Sequence, residues 1–226
     1  MKHLFSILVL FLIVLASCKT EKKAEPVTPE KNLTILENVA YAHGFENWKN
    51  IKKLGFTFNV DRDTSHFERR WIWDTKLNLV TAITSSDTIT YSRKDMDSTT
   101  HKTNGGFIND KFWLMAPYNL VWDKDNFTYE HIEKTEAPIS KKTMQKLTIV
   151  YKNEGGYTPG DAYEFFFGDD YMVKEWVFRR GNQAEPSMTT TWEEYVEKDG
   201  LKIARIHQTE DGSFKLHFTD IETTTN

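Results

Sequence analysis

The chain has 226 residues, a formal net charge of -4, 14% aromatic residues and a single cysteine. That length suits one domain with enough apolar sequence to build a core. The acidic balance excludes the basic field that nucleic-acid binding needs, and one cysteine excludes an internal disulfide.

Residues 1–17 read as an export signal. Lys2 and His3 precede an apolar run over 4–16, shorter than the ~20 residues that cross a bilayer. The run ends in Leu15-Ala16-Ser17-Cys18, which resembles the lipobox of bacterial lipoproteins. That resemblance implies that Cys18 becomes the acylated N-terminus of the mature chain and anchors it to a membrane. Residues 18–31 place Pro26 and Pro29 among charged side chains and read as an extended tether.

Folded sequence begins at residue 32. Leu33, Leu36, Val39, Ala40 and His43 form a helical stripe, Gly44 breaks it, and a second turn carries Trp48 and Ile51. His43, beside Gly at a helix end, reads as a cap or dipole partner rather than a catalytic group. From Leu54 the period becomes two. Phe56, Phe58 and Val60 alternate with polar residues, then Phe67, Arg69, Trp71 and Trp73, then Leu77, Leu79, Thr81 and Ile83, then residues 88–92. With polar turns between them, these predict an antiparallel meander.

Residues 105–123 interrupt that grammar. Phe112, Met115, Ala116 and Asn119 fall at i, i+3, i+4 and i+7, and Trp113 and Leu114 widen the apolar arc. The pattern predicts a short helix capped by Asn109 or Asp110 and limited by Pro117, with 93–104 as a polar excursion before it. Phe112, Trp113, Leu114 and Met115 span too much circumference to face one sheet. They are expected to meet a concave face carrying Trp71, Trp73, Phe165 and Trp176. The insert is read as a lid at the mouth of that concavity, hinged at Pro117 and Gly105-Gly106; all eight side chains are the expected ligand contacts.

Strands follow over 127–132 and 144–151. The loop Gly155-Gly156-Tyr157-Thr158-Pro159-Gly160-Asp161 lacks the P-loop lysine. Residues 162–167 and 171–178 carry apolar residues on both faces, as central, doubly covered strands would. Asp199-Gly200 predicts a tight hairpin pairing Val196 with Ile203 and Glu197 with Lys202. In the last hairpin, a loop Glu210-Asp211-Gly212 with Gly212 at positive φ pairs Ile206 with Leu216 and Ala204 with Phe218. Arg205, His207, Lys215 and His217 then share the other face. His207 and His217 are the best histidine pair, but the two flanking cations argue for a solvated face and against a metal. No catalytic motif appears, and no cofactor is expected.

Ala42-His43-Gly44 with Trp48 and Ile51, then Phe112-Trp113-Leu114-Met115-Ala116-Pro117, then Gly156-Tyr157-Thr158-Pro159-Gly160-Asp161 with Tyr163, are together similar to the LolA/LolB-like superfamily and to envelope lipoproteins of that kind. Many relatives carry a second Gly where this chain has Phe45. The resemblance covers residues 32–221. It implies a half-open antiparallel sheet bent over helices around an apolar cavity.

The expectation is therefore a single α+β domain over 32–226: one large, curved antiparallel sheet, a LolA-like half-barrel, packed on an N-terminal helix and the central insert. A closed lipocalin-type barrel is the alternative. The expected role is a non-catalytic, lipid-anchored envelope protein, in the periplasm or at the surface and attached to the outer membrane. It would bind a lipid or other hydrophobic small molecule and no nucleic acid. The alternatives are a structural lipoprotein with a filled core and an envelope hydrolase.

Overall fold

The computed structural model describes residues 33–226; Cys18, the signal and the tether lie outside them. The first helix, α1 (Ile35–Ala42), starts at a capping box in which the Thr34 side chain accepts from Glu37 N–H and the Glu37 carboxylate accepts from Thr34 N–H. It stops at Gly44, whose φ is +86°, and a 3-10 turn over Phe45–Asn50 follows. A Cβ on Gly44 would meet the Gly200 carbonyl oxygen at 1.8 Å. Only glycine allows the helix end to rest on the Asp199-Gly200 turn.

The strands then run β1 (Ile51–Arg62), β2 (Ser65–Asp74), β3 (Leu79–Ile83) and β4 (Thr88–Ser92). The long helix α2 (Ser98–Trp122) follows. After it come β5 (Phe127–Glu136), β6 (Thr143–Tyr151), β7 (Ala162–Phe167), β8 (Val173–Arg179), β9 (Met188–Thr191), β10 (Glu193–Lys198), β11 (Leu201–Gln208) and β12 (Phe214–Thr225). Seven strands pair in the order β10-β11-β12-β1-β2-β3-β4 and five in the order β5-β6-β7-β8-β9, all antiparallel. Trp192 alone separates β9 from β10, so the chain passes from one sheet to the other without a loop, and Trp192 N–H still donates to Lys174 O at 2.7 Å. The expected curved sheet is thus folded at Trp192 into two pieces. β4 and β5 remain as its edges, so the barrel is not closed.

α2 connects those two edges and lies between the sheets. Phe107, Leu114, Met115 and Tyr118 pack against the seven-stranded sheet, whereas Phe112, Ala116 and Leu120 pack against the five-stranded one. The insert therefore does meet two apolar surfaces, but as a buried strut and not as a lid at the mouth. Its start also differs from expectation. Asp97 caps it, accepting from Thr100 N–H at 2.8 Å, so Asn109 and Asp110 sit inside the helix. Gly105 and Gly106 are helical, and the one departure from helical geometry is at Met115, φ -132° and ψ 28°. Pro117 explains it, because its ring crowds the preceding turn and supplies no N–H.

The β10–β11 hairpin has the expected register. The last hairpin does not: Ile206 faces His217 and His207 faces Leu216. Thr209 N–H donates to Phe214 O at 3.0 Å, closing a loop one residue longer than expected. The Asp211 carboxylate holds that loop by accepting from Ser213 N–H at 3.1 Å and Thr209 Oγ1 at 2.7 Å. A one-residue slip exchanges faces, so His207 turns inward while Ile206 is part-exposed. Gly212 has the expected positive φ, +71°. In β3, Val80 and Ala82 are buried, and Leu77 in the turn before it is 61% exposed, the opposite of the face expected there. β7 and β8 are covered on both faces: Phe166 and Val177 form a small outer cluster with Ala137.

Candidate functional site

The two sheets part at one end and leave a half-open cavity of about 430 Å³. β1 and β12 contribute Phe58, Val60, Phe214 and Leu216 to its walls. β7 and β8 contribute Tyr163, Trp176 and Phe178, and α2 contributes Phe112 and Trp113. The volume falls in the range of small-molecule sites. The apolar character follows from strand periodicity, since each strand sends every second residue into the concavity.

Trp113 is part-buried and packs against both clusters. Its ring lies edge-on to Trp176 at 4.5 Å and 5.5 Å from His207. Phe112 stacks flat on Tyr157 at 3.8 Å, which brings the glycine-rich loop over the cavity. Arg62, Arg180 and Asp161 stand at the rim; Asp161 accepts from Gly181 N–H at 2.7 Å.

Of the eight side chains expected to touch a ligand, the structure brings Phe112, Trp113 and Trp176 together here. Trp73 lines a second cleft, and Trp71 lines a third, small one between β2 and α2. Leu114, Met115 and Phe165 are in the packed core and line none of these three. Phe58, Tyr163, Phe178 and Leu216 were legible as inward-facing residues, yet nothing local marked them as cavity wall.

A buried ion pair fixes α2 in place. Asp110 is fully buried and accepts from Arg69 Nη2 at 2.6 Å and from Trp71 Nε1 at 2.7 Å. The Arg69 guanidinium lies between the Phe58 and Phe67 rings and passes close to Gly106, where a Cβ would come within 2.8 Å of Nη1. Gly106 is thus clearance for a salt bridge rather than a hinge.

The histidines separate into two kinds. His43 is buried, with Nδ1 2.7 Å from Val39 O and Nε2 3.1 Å from the Tyr195 hydroxyl. Its carbonyl accepts from Tyr118 Oη at 2.6 Å and from Lys202 N–H at 2.9 Å. Burial pushes its pKa down to about 4, so it is neutral and structural. His207 is buried against Trp192 and Trp113, and burial pushes it down to about 3. It does not share a face with His217, so the expected histidine pair does not form.

His217 instead joins Asp61 and His66, whose candidate ligand atoms lie within 4.8 Å of one another on the outer face of β1, β2 and β12. Among the described residues this is the grouping with metal-ligand chemistry. The Asp61 carboxylate is already shared, with Oδ1 2.6 Å from His66 Nδ1 and Oδ2 3.0 Å from His217 Nε2. That sharing lowers the carboxyl pKa and raises that of His66.

No family model matches the sequence, and no curated protein does either. Solved structures are similar to it at low identity. A LolA superfamily protein from Nitrosomonas europaea aligns at a TM-score of 0.50 with 9% identity, over 85% of this chain and 93% of its own. A putative outer membrane lipoprotein-sorting protein domain from Vibrio parahaemolyticus aligns at 0.48 with 8% identity, over 84% and 92%. A DUF1329 family protein from Desulfovibrio piger aligns at 0.44 with 8% identity, over 82% and 91%. An open antiparallel sheet folded around a buried helix, covering nearly the whole of the Nitrosomonas protein, gives this chain a LolA-like fold.

Proposed function

We propose that this chain is a non-catalytic, lipid-anchored protein of the bacterial cell envelope that takes a hydrophobic ligand into the cavity between its sheets. The observation that carries the reading is the cavity itself: about 430 Å³ walled by Phe58, Phe112, Trp113, Trp176, Phe178 and Leu216. A solid core would fill that space, because voids between close-packed side chains cost stability. The space takes one acyl chain or a comparable apolar group. The fold shared with a LolA superfamily protein supports a carrier, and the lipobox at Cys18 supports anchoring. The non-catalytic reading rests on the two strongly shifted imidazoles: His43 and His207 are buried, and neither lines the cavity. The filled-core alternative has its own support, since α2 occupies much of the concavity.

One titration tests both readings. A fluorescent fatty-acid analogue should bind saturably, with energy transfer from Trp113 and Trp176. Val60→Trp, which fills the cavity from β1, should abolish that binding and leave the melting temperature within a few degrees of the parent. A folded parent that shows no saturable binding would refute the carrier and leave the filled core. Separately, Cys18→Ser should end incorporation of labelled fatty acid in a bacterial host; persistent labelling would remove the anchor from the proposal.

A further inference from the structure

α2 carries a lysine inside the fold. Lys111 is 9% exposed, its Nζ donates to Asn119 Oδ1 at 3.3 Å, and it lies 4.8 Å from the Trp122 ring centroid. Arg93, just after β4, is part-buried. Its Nε donates to Asn104 Oδ1 at 3.1 Å, its Nη1 reaches Asn78 Oδ1 at 3.4 Å, and its guanidinium covers the Phe107 ring. Among the described residues neither cation makes a salt bridge. Both line one cleft of about 350 Å³ beside the apolar cavity, together with Trp73, Asn119, Trp122 and Tyr157.

Two neutral groups in the same lining are also unmatched. Asn119 Nδ2 and Trp73 Nε1 are buried and donate to no acceptor among the described residues. The carboxylate in the lining, Asp123, accepts from the Tyr151 hydroxyl at 3.2 Å. Burial, and then the Arg93 charge, lower the Lys111 pKa to about 8, against the smaller opposing pull of the Asp123 carboxylate.

A buried charge is tolerated when it is paired, and a buried N–H when it is accepted. Here the two cations donate only to neutral amide oxygens, two N–H groups find no acceptor, and Asp123 is the single carboxylate in the lining: the balance is short of acceptors and negative charge. We propose that this cleft binds an oxyanion, a phosphate or carboxylate group, held by Lys111 and Arg93 with the Asn119 amide as a neutral donor. The guanidinium supplies planar, paired donors and the ammonium a point charge, a combination suited to tetrahedral or planar oxyanions. Tyr157 lines both this cleft and the apolar cavity. The anion could therefore be the headgroup of an amphiphile or a free ion. The site does not depend on the apolar-ligand reading, since a free anion needs no acyl chain.

The test is calorimetric titration of the full chain in detergent with inorganic phosphate, lysophosphatidic acid and an uncharged monoacylglycerol. Phosphate or lysophosphatidic acid should bind at one site per chain, and Lys111→Met and Arg93→Gln should each weaken that binding at least tenfold. Without anion, Lys111→Met should melt at or above the parent, because it keeps the volume and removes an uncompensated buried charge. Lysophosphatidic acid binding far more tightly than phosphate assigns the anion to a lipid headgroup; equal affinities assign it to free phosphate. No saturable binding of either anion to the folded parent, or binding undiminished in both variants, overturns the site. A Lys111→Met protein that melts well below the parent also counts against it, and should it fail to fold, Arg93→Gln decides. Failure of monoacylglycerol alone bears on the apolar cavity and leaves this site standing.

Discussion

Acid should unfold this protein through its buried histidines, and His43 isolates the effect. Its pKa is about 4 in the fold, against about 6.5 in an unfolded chain. The unfolded chain therefore binds a proton between pH 6.5 and 4 that the native protein does not, so stability falls as pH falls through that window. The loss attributable to His43 reaches about 3 kcal/mol by pH 4. His207, held at about 3, acts with the same sign and extends the loss to lower pH. His66 has the opposite sign: its raised pKa gives stability that is lost as pH rises through the folded value, and at this exposed position solvent screens it. The lowered carboxyls of Asp61, Asp97 and Asp211 lose their contribution below about pH 3.8, outside the window. Urea unfolding at pH 7, 6, 5 and 4 on the parent and on His43→Gln separates these terms. The glutamine variant loses part of the hydrogen bonding to Val39 and Tyr195, about 1–2 kcal/mol at pH 7. It cannot titrate, so the ranking should reverse by pH 4, with the variant the more stable. A stability difference constant across all four pH values would refute the reasoning.

Two further substitutions probe how α2 and α1 are held. Asp110→Ala leaves the Arg69 guanidinium facing an apolar interior and should cost about 3–5 kcal/mol, whereas the double variant Arg69→Met with Asp110→Leu should cost much less; equal losses in a denaturant titration would show that the pair contributes only packing. Gly44→Ala should be far more damaging than Gly212→Ala although both glycines have positive φ. At Gly212 a Cβ meets nothing within 4 Å, leaving about 1 kcal/mol of backbone strain, while at Gly44 it strikes the Gly200 carbonyl oxygen. Equal shifts in melting temperature would sink that distinction.

Features set by neighbours in the chain were legible in the sequence. The break at Gly44, the positive φ at Gly212, the Asp199-Gly200 turn with its register and the core side of Phe56, Phe58, Trp71 and Trp73 all follow from local sterics and period. So does the apolar arc around Phe112 and Trp113, whose width implied contact on two sides. The last hairpin was misread because Asp211 stabilises a loop one residue longer than the glycine alone indicated. That single residue carried His207 inward and ended its pairing with His217. The start of α2 was missed because its first turns are polar and period-free; only the Asp97 cap marks it. The tertiary structure decided the rest. Asp110 and Lys111 are charged, and no local pattern requires their burial, yet both are buried, because α2 is enclosed between two sheets whose partners come from distant parts of the chain. Whether a concave face is filled or left open depends on how those sheets part at one end. That is settled by packing among β1, β7, β8, β12 and α2, and no stretch of sequence encodes it alone.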